Sequence, residues 1–416
     1  MRVALVYLNN DTCSVSRGPG YIASVVLSAG HALKFFDTAY ICLERVRAEV
    51  TSGEYDILLI SASSLFYTEA TTLAAAVKQT SDIPILLGGI HATIIQGEIL
   101  NECPDIDYIC IGEGEGFIVD FLESMASGGM VKSIDNLGYR DDDGTAQVNP
   151  IRPCTDLKTL PPFRFDLFRP ESIVNGYPKP GFCYVYATRG CPYNCSYCCN
   201  GCNLALYKRS YLRTQNIDTI IAELLFLKKT YPVELFYFGD EMILFNERFV
   251  TDLFRRIKTE VDVDVGCMVR VETITPAIVA LFQETGCRYV GMGIECGDEA
   301  FRRKFLNRHM TNGQIIDAFR MLRAIPGMIL TSYNMRGFPV AYDTELTRKT
   351  TALNARCGVN IVQTSLFYPF RGTKLYDYCI DNDLIDPVKL AHVHANHQDY
   401  FTESVLRPIS GTGTLC

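Results

Sequence analysis

The sequence lacks the features that would mark a membrane protein, a nucleic-acid binder or a disulfide scaffold. No apolar run reaches the roughly 18 residues that a helical span requires. Met1-Arg2-Val3-Ala4-Leu5-Val6 enters a short strand without a signal-peptide layout, so a cytoplasmic protein is expected. Positive charge is also short: 39 Lys and Arg stand against 47 Asp and Glu, for a formal net charge of -8. Nucleic-acid binders concentrate positive charge on one face, so neither RNA nor DNA is expected as the substrate. There is no internal repeat and no low-complexity tract. Histidine is sparse, and its one cluster, His392-Val393-His394-Ala395-Asn396-His397, has no matching carboxylate or cysteine pattern. It reads as surface histidine with no assigned role.

What is present is the composition of a folded chain: 416 residues, 48% hydrophobic and 21% charged. That length suits two or three domains with large cores. The 17 cysteines are many for a chain expected in a reducing compartment, and their spread from Cys13 to Cys416 is too loose for a secreted scaffold. Isolated ones such as Cys42, Cys110, Cys267, Cys287 and Cys357 read as small buried hydrophobes.

Short apolar runs alternate with amphipathic stretches along residues 1–126. Strands are expected at Arg2–Leu8, Leu33–Phe36, Asp56–Ser61, Ile83–Leu87 and Tyr108–Ile111. Strand-helix alternation implies a doubly wound parallel sheet, an α/β Rossmann-like domain. Ligands of such sheets sit beyond the strands' carboxyl ends. The residues there are Asn9-Asn10, Ser61-Ala62-Ser63-Ser64, Gly88-Gly89-Ile90-His91 and Gly112-Glu113-Gly114-Glu115-Gly116. Residues 127–180 are rich in turn signals, including Asp141-Asp142-Asp143-Gly144 and Tyr177-Pro178-Lys179-Pro180, and read as a linker with a small hairpin. A second alternation fills residues 181–383. Its six strand candidates, Tyr184–Ala187, Leu235–Phe238, Val263–Val269, Tyr289–Ile294, Ile329–Met335 and Ile361–Tyr368, imply a partial barrel of parallel strands, a TIM-like (β/α)6 layout. Residues 384–416 form a turn-rich carboxyl-terminal segment, expected to be poorly ordered near its end.

Directly after the first barrel strand stands Gly190-Cys191-Pro192-Tyr193-Asn194-Cys195-Ser196-Tyr197-Cys198-Cys199, a Cys-x3-Cys-x2-Cys spacing. Three thiolates from one loop can bind three irons of a cubane and leave the fourth open, whereas an electron-carrying cluster normally takes four cysteines. The rival reading is a zinc site built from Cys195, Cys198, Cys199 and Cys202. If Cys191, Cys195 and Cys198 hold the cluster, Cys199 and Cys202 have no assigned role.

With Tyr197 just before the last cysteine and the loop placed after strand one, the sequence resembles the radical S-adenosylmethionine (SAM) superfamily. The resemblance runs through the barrel. It implies a 4Fe-4S cluster on Cys191, Cys195 and Cys198, with SAM on the open iron. It also implies SAM contacts from Tyr197, from Asp240 and Glu241 in Phe238-Gly239-Asp240-Glu241, from Arg270 and from Glu295. Asp240 could equally be a helix N-cap. Arg270 and Glu295 read as an opposite-charge pair facing a zwitterionic ligand, or as a plain salt bridge.

Residues 1–126 resemble the cobalamin-binding domain attached to one large subfamily of these enzymes. The resemblance implies cobalamin contacts from Gly18, Ser61, Ser63, Gly88, Gly89, His91, Gly112, Glu113 and Gly114. The Asp-x-His-x-x-Gly motif of cobalamin mutases is missing, and His91 looks like part of the nucleotide-tail loop, not a cobalt ligand. A domain that binds no cobalamin stays open, since glycine-rich strand ends are common to all such sheets. The activity implied is reductive cleavage of SAM to a 5'-deoxyadenosyl radical, followed by cobalamin-dependent methylation of an unactivated carbon of a small molecule. An electron donor such as flavodoxin or ferredoxin is the implied partner. Ring formation or oxidation without methyl transfer, and a non-catalytic carrier or sensor, are the alternatives. A methylthiotransferase should carry three further amino-terminal cluster cysteines, and Cys13, Cys42 and Cys103 do not make that set. Tyr333, Asn334, Tyr368 and Arg371 are expected near the barrel mouth.

Overall fold

A computed structural model describes residues 1–13, 15–175, 181–395 and 402–407. The chain divides into two compact units, Met1–Asn175 and Gly176–Cys416.

In the first unit, strands β1 (Arg2–Tyr7), β2 (Ala32–Asp37), β3 (Ile57–Ser61), β4 (Ile85–Gly88) and β5 (Tyr108–Cys110) form a parallel sheet in the order β2-β1-β3-β4-β5. Side chains alternate between faces along each strand, and both sets are apolar. Ala4, Val6, Leu58, Ile60, Ile85 and Leu87 join one core, while Val3, Leu5, Ile57, Leu59 and Leu86 join another. A sheet buried on both sides needs helices on both sides, which is why the strands read as unbroken apolar runs. Strand order reverses between β1 and β3, so the ligand crevice of such a sheet lies beyond their carboxyl ends, at Asn9 and Ser61–Ser63.

The stretch read as a linker belongs largely to this unit. Strands β6 (Leu137–Arg140) and β7 (Ala146–Val148) extend the sheet antiparallel from β5. Asp141 closes their turn, its carboxylate accepting from the Thr145 N–H at 3.0 Å. Arg140 then ties the hairpin to the sheet by donating to the carbonyls of Leu100, Cys103 and Ile106. Residues 176–180, part of the expected linker, lie outside the described residues.

In the second unit, six strands pair in parallel in chain order: β8 (Phe182–Val185), β9 (Leu235–Phe238), β10 (Asp264–Val269), β11 (Cys287–Glu295), β12 (Ile329–Arg336) and β13 (Ile361–Leu366). Helices Ile217–Thr230, Glu247–Arg256, Pro276–Thr285, Asn312–Arg323 and Asp343–Cys357 alternate with them. The sheet curls around Phe182, Leu235, Tyr237 and Tyr289, with Tyr184 and Met268 packed against them. Glycines make room for these rings: a Cβ on Gly291 would lie 2.8 Å from the Tyr237 hydroxyl. This fills the inside of the partial barrel and leaves the strands' carboxyl ends to carry polar groups.

Cys110, Cys267, Cys287 and Cys357 are buried as expected, but Cys42 is exposed, because it stands just ahead of the surface helix Leu43–Val50.

Candidate active site

The cysteine loop leaves β8 through a two-residue ribbon, Thr188–Arg189, paired antiparallel with Arg213–Thr214. Gly190 follows at φ +101, and a side chain there would strike the Tyr211 carbonyl oxygen. Further on, Ser196 donates from its N–H to the Leu306 carbonyl (3.3 Å) and from its hydroxyl to the Phe305 carbonyl. The Ser196 carbonyl accepts from Leu375 N–H (2.9 Å), and Asn307 reaches the Asn194 carbonyl (2.6 Å). The loop is therefore clamped on two sides by segments that follow β11 and β13.

Cys191 and Cys195 are each 8% exposed and Cys198 is half-buried. Burial, backed by negative charge on Cys195 and Cys198, pushes the Cys191 thiol up to about 11. Cys198 moves the other way, to about 7, first because the Cys199 thiol hydrogen-bonds to it and then through the Asn200 N–H that opens the next helix. Cys199 thus has a partner, and so does Cys202, whose thiol donates to the Gly372 carbonyl at 2.9 Å. Among the described residues no group of three or more His, Cys, Asp or Glu is placed to share a single metal ion, and Cys195, Cys198, Cys199 and Cys202 do not assemble as the zinc alternative requires. A cubane asks instead for one thiolate per iron. Three cysteine sulfurs from one clamped loop, close enough to sense one another's charge, fit that donor set.

Asp240 does not face outward. It is fully buried, and its carboxylate accepts from the Ala187 N–H (3.0 Å), the Thr188 N–H (2.5 Å) and the Thr188 hydroxyl (2.6 Å). Its oxygens are spent on the backbone that enters the cysteine loop, so neither expectation for it, SAM contact or helix N-cap, describes its place. Burial pushes its pKa up to about 7, against those hydrogen bonds. Glu241 is exposed and reaches the Gly190 N–H at 3.4 Å.

The expected pairing of Arg270 with Glu295 is replaced by two separate pairs. Arg270 grips Glu272 with Nη2 at 2.6 Å and Nε at 3.3 Å, and aims Nη1 at the Cys195 sulfur, 3.4 Å away. Its guanidinium lies 3.7 Å from the centre of the Tyr193 ring. Glu295 sits at φ +64, where the β11–β12 register shifts, and pairs with Arg308. Arg308 donates from Nη1 to Glu295 (3.3 Å) and the Tyr197 hydroxyl (3.2 Å), and from Nη2 to the Gly293 carbonyl (2.6 Å). Burial opposes the Arg308 charge, yet Tyr197 and Glu295 hold it more firmly protonated than an ordinary arginine. The Arg308 Nε is buried with no hydrogen-bond partner among the described residues. Sequence reasoning missed Arg308. The available signal was an arginine with an apolar residue two positions away on either side, Leu306 and Met310.

At the barrel mouth, Tyr333 faces Tyr237, hydroxyl to hydroxyl at 3.3 Å. Asn334 points the other way, into a buried network with Ser332 and Asn354. Tyr368 hydrogen-bonds to His394 at 2.7 Å. His394 is therefore not a surface histidine, and burial lowers its pKa. His392 is half exposed, 3.9 Å from Glu403, and Asn396 and His397 lie outside the described residues, as do the last residues of the chain.

In the first unit, Gly89 has φ +103, and a Cβ there would lie 2.5 Å from the Ala62 carbonyl oxygen. A Cβ on Gly88 would come only within 3.8 Å of Cys110, and one on Gly18, in the first turn of helix Arg17–Ser28, would meet nothing within 4 Å. Gly112 follows β5 at φ +83. Ser61 ends β3 and Ser63 precedes a short turn without capping it through its side chain. Apart from Gly89, whose Cβ position the Ala62 backbone fills, these small residues leave backbone that a flat macrocycle could approach, so the unit fits a corrin. Gly114 and Glu113 are less open: a Cβ on Gly114 would lie 2.9 Å from the Ile22 side chain, and the Glu113 carboxylate accepts from Thr155 N–H at 2.8 Å. His91 is buried, 3.0 Å from the Ser64 hydroxyl, with its ring stacked on Tyr67.

Both units resemble known proteins. Residues 185–347 match the Radical SAM superfamily and residues 7–122 the B12 binding domain. An uncharacterized methyltransferase of Pyrococcus horikoshii, PH0819, is 28% identical over 90% of this chain and 83% of its own. The anaerobic magnesium-protoporphyrin IX monomethyl ester cyclase of Rubrivivax gelatinosus is 25% identical over 73% of this chain, which spans only 55% of the cyclase. Among solved structures, the radical SAM methyltransferase TsrM of Kitasatospora setae, with cobalamin and a [4Fe-4S] cluster bound, superposes with a TM-score of 0.73 at 14% identity, over 92% of this chain and 78% of that one. At that identity the likeness is one of fold.

Proposed function

We propose that this chain, which matches the Radical SAM superfamily and B12 binding domain models, is a radical SAM enzyme that methylates an unactivated carbon of a small-molecule metabolite. The carrying observation is the clamped loop of Cys191, Cys195 and Cys198 at the carboxyl end of a parallel partial barrel, in one chain with a corrin-type sheet. When bound, the cluster supplies the electron that splits SAM into methionine and a 5'-deoxyadenosyl radical, and cobalamin supplies the methyl group.

The chain's own residues hold and shield. Cys191, Cys195 and Cys198 ligate the cluster, and Asp240 fixes the backbone from which they hang. Glu295, Glu241 and Arg308 are the charged groups offered to the zwitterion of SAM, and the Tyr197–Arg308–Glu295 set fixes their geometry. Gly18, Ser61, Ser63, Gly88 and Gly112 admit the corrin, and Gly89 shapes the turn that follows Gly88. The filled barrel floor around Tyr237 keeps water from a radical that solvent would quench. A flavodoxin- or ferredoxin-type protein of the cytoplasm would deliver the electron. Ring formation is the second reading, favoured only by the similarity to the cyclase.

Anaerobic reconstitution with iron, sulfide and hydroxocobalamin tests this. Absorbance should report bound corrin and cluster. Dithionite and SAM should yield 5'-deoxyadenosine and S-adenosylhomocysteine. Cys191→Ala should abolish both products, while Cys357→Ala leaves them. Deoxyadenosine without homocysteine product would move the enzyme to another radical reaction, and no SAM turnover with candidate substrates present would leave a carrier or sensor.

A further inference from the structure

Arg270 does two things at once that a plain salt bridge does not. Glu272 occupies its Nε and Nη2 faces, so the remaining Nη1 points at the Cys195 sulfur, 3.4 Å away. The arrangement is built. Arg270 caps the turn Val271–Thr273, and Thr273 holds the Arg270 carbonyl through its N–H (3.0 Å) and its hydroxyl (2.7 Å), which keeps Glu272 on the same side as the guanidinium. Underneath lies the Tyr193 ring, itself between Cys191 and Cys195, fixing the guanidinium plane by a cation–π contact. The Arg270 side chain is 9% exposed and that of Glu272 26%, so solvent screens the arginine little and the glutamate more.

We propose that Arg270 and Glu272 act as opposed controls on the reduction potential of the cluster, Arg270 raising it through the Cys195 sulfur and Glu272 lowering it. This rests on the reading that Cys191, Cys195 and Cys198 hold that cluster. Reduction adds one electron, taken from dithionite or a protein reductant, and so adds one negative charge beside Cys195. Hydrogen bonds to cluster sulfurs and nearby net charge are among the quantities that set such potentials. An N–H donor carrying positive charge stabilises the reduced form more than the oxidised one. Glu272 counters it in two ways, by its own negative charge and by drawing the guanidinium's charge toward itself. Arg308 adds positive charge near Cys195, but its Nη1 and Nη2 groups go to Glu295, Tyr197 and Gly293, not to a cysteine sulfur. Arg270 alone donates to a cluster-loop sulfur among the hydrogen bonds of these two arginines.

The test is a potentiometric titration of the SAM-free, anaerobically reconstituted holoenzyme, with the reduced cluster counted by electron paramagnetic resonance. Arg270→Gln should lower the midpoint and Glu272→Gln should raise it. Arg270→Lys, which keeps charge but loses the fork, should recover part of the Arg270→Gln shift. Iron and sulfide content would confirm that each variant is loaded. If Arg270→Gln fails to take up iron, the sign of the Glu272→Gln shift decides alone. Midpoints that stay at the wild-type value, or that move in the same direction in both variants, overturn the proposal while leaving the cluster in place. A wild type that assembles no cluster overturns the functional reading itself, and this inference with it.

Discussion

The two units use the same device, the carboxyl ends of parallel strands, for opposite purposes. In Met1–Asn175 those ends carry Ser61, Gly88, Gly89 and Gly112, and what matters is how close backbone can come. In Gly176–Cys416 they lead to Asp240, Arg270, Glu272, Glu295 and Arg308, and what matters is how charge is held in a dry place. A site of the first kind fails by steric strain. One of the second kind fails when a charge loses its partner.

The sharpest break in this comparison should come from Arg308→Met. Arg308 and Glu295 have side chains 5% and 12% exposed, so removing the arginine leaves a carboxylate nearly buried without its cation. The expected cost is about 3–5 kcal/mol in urea unfolding of the apoprotein. Arg255→Met, at the exposed pair with Glu284, should shift the urea midpoint far less, because solvent screens that pair. Equal losses at the two sites would mean that burial is not what distinguishes them.

Asp240→Asn sharpens the comparison through pH. The folded pKa of Asp240 is raised from 3.8 to about 7, chiefly by burial. Between those values the folded chain holds the proton more tightly than the unfolded chain, so this group contributes less stability as pH rises. Asparagine imitates the protonated acid and does not titrate. The stability of the wild type relative to Asp240→Asn should therefore fall from about pH 4 to about pH 7 by a few kcal/mol, then level off. Urea melts of both apoproteins across that range would show it. A wild-type advantage that grows with pH would mean that the three donors, not burial, control the group.

Strands and cysteines were legible because their signals are local. Short apolar runs of a handful of residues marked β1, β3, β4, β9 and β11, and the cluster spacing occupies one loop. The polar roles were not, because each depends on a contact remote in sequence. Asp240 meets Ala187 and Thr188 more than 50 residues back. Arg308 meets Tyr197 across 111 residues, and Asn334 was expected at the mouth although its neighbour Tyr333 takes the inward face. For the hairpin Leu137–Val148, turn residues were visible, but no pattern within it revealed that β6 pairs with β5.

The smallest expected effect belongs to the first unit, and it separates fold from ligand. Gly89, at φ +103 and ψ -174, occupies a conformation that is essentially restricted to glycine. Gly89→Ala adds a clash with the Ala62 carbonyl, so it should cost about 1–3 kcal/mol whether or not corrin is present. Gly18 lies in a helix with open space where its Cβ would go, and Gly18→Ala should be neutral or slightly stabilising in urea. Its effect on hydroxocobalamin uptake, followed by absorbance, is then free of any folding cost. Weakened uptake by a stable Gly18→Ala protein would place the corrin against that helix. Unchanged uptake would remove Gly18 from the site and leave the strand ends at Ser61, Gly88 and Gly112 to carry it.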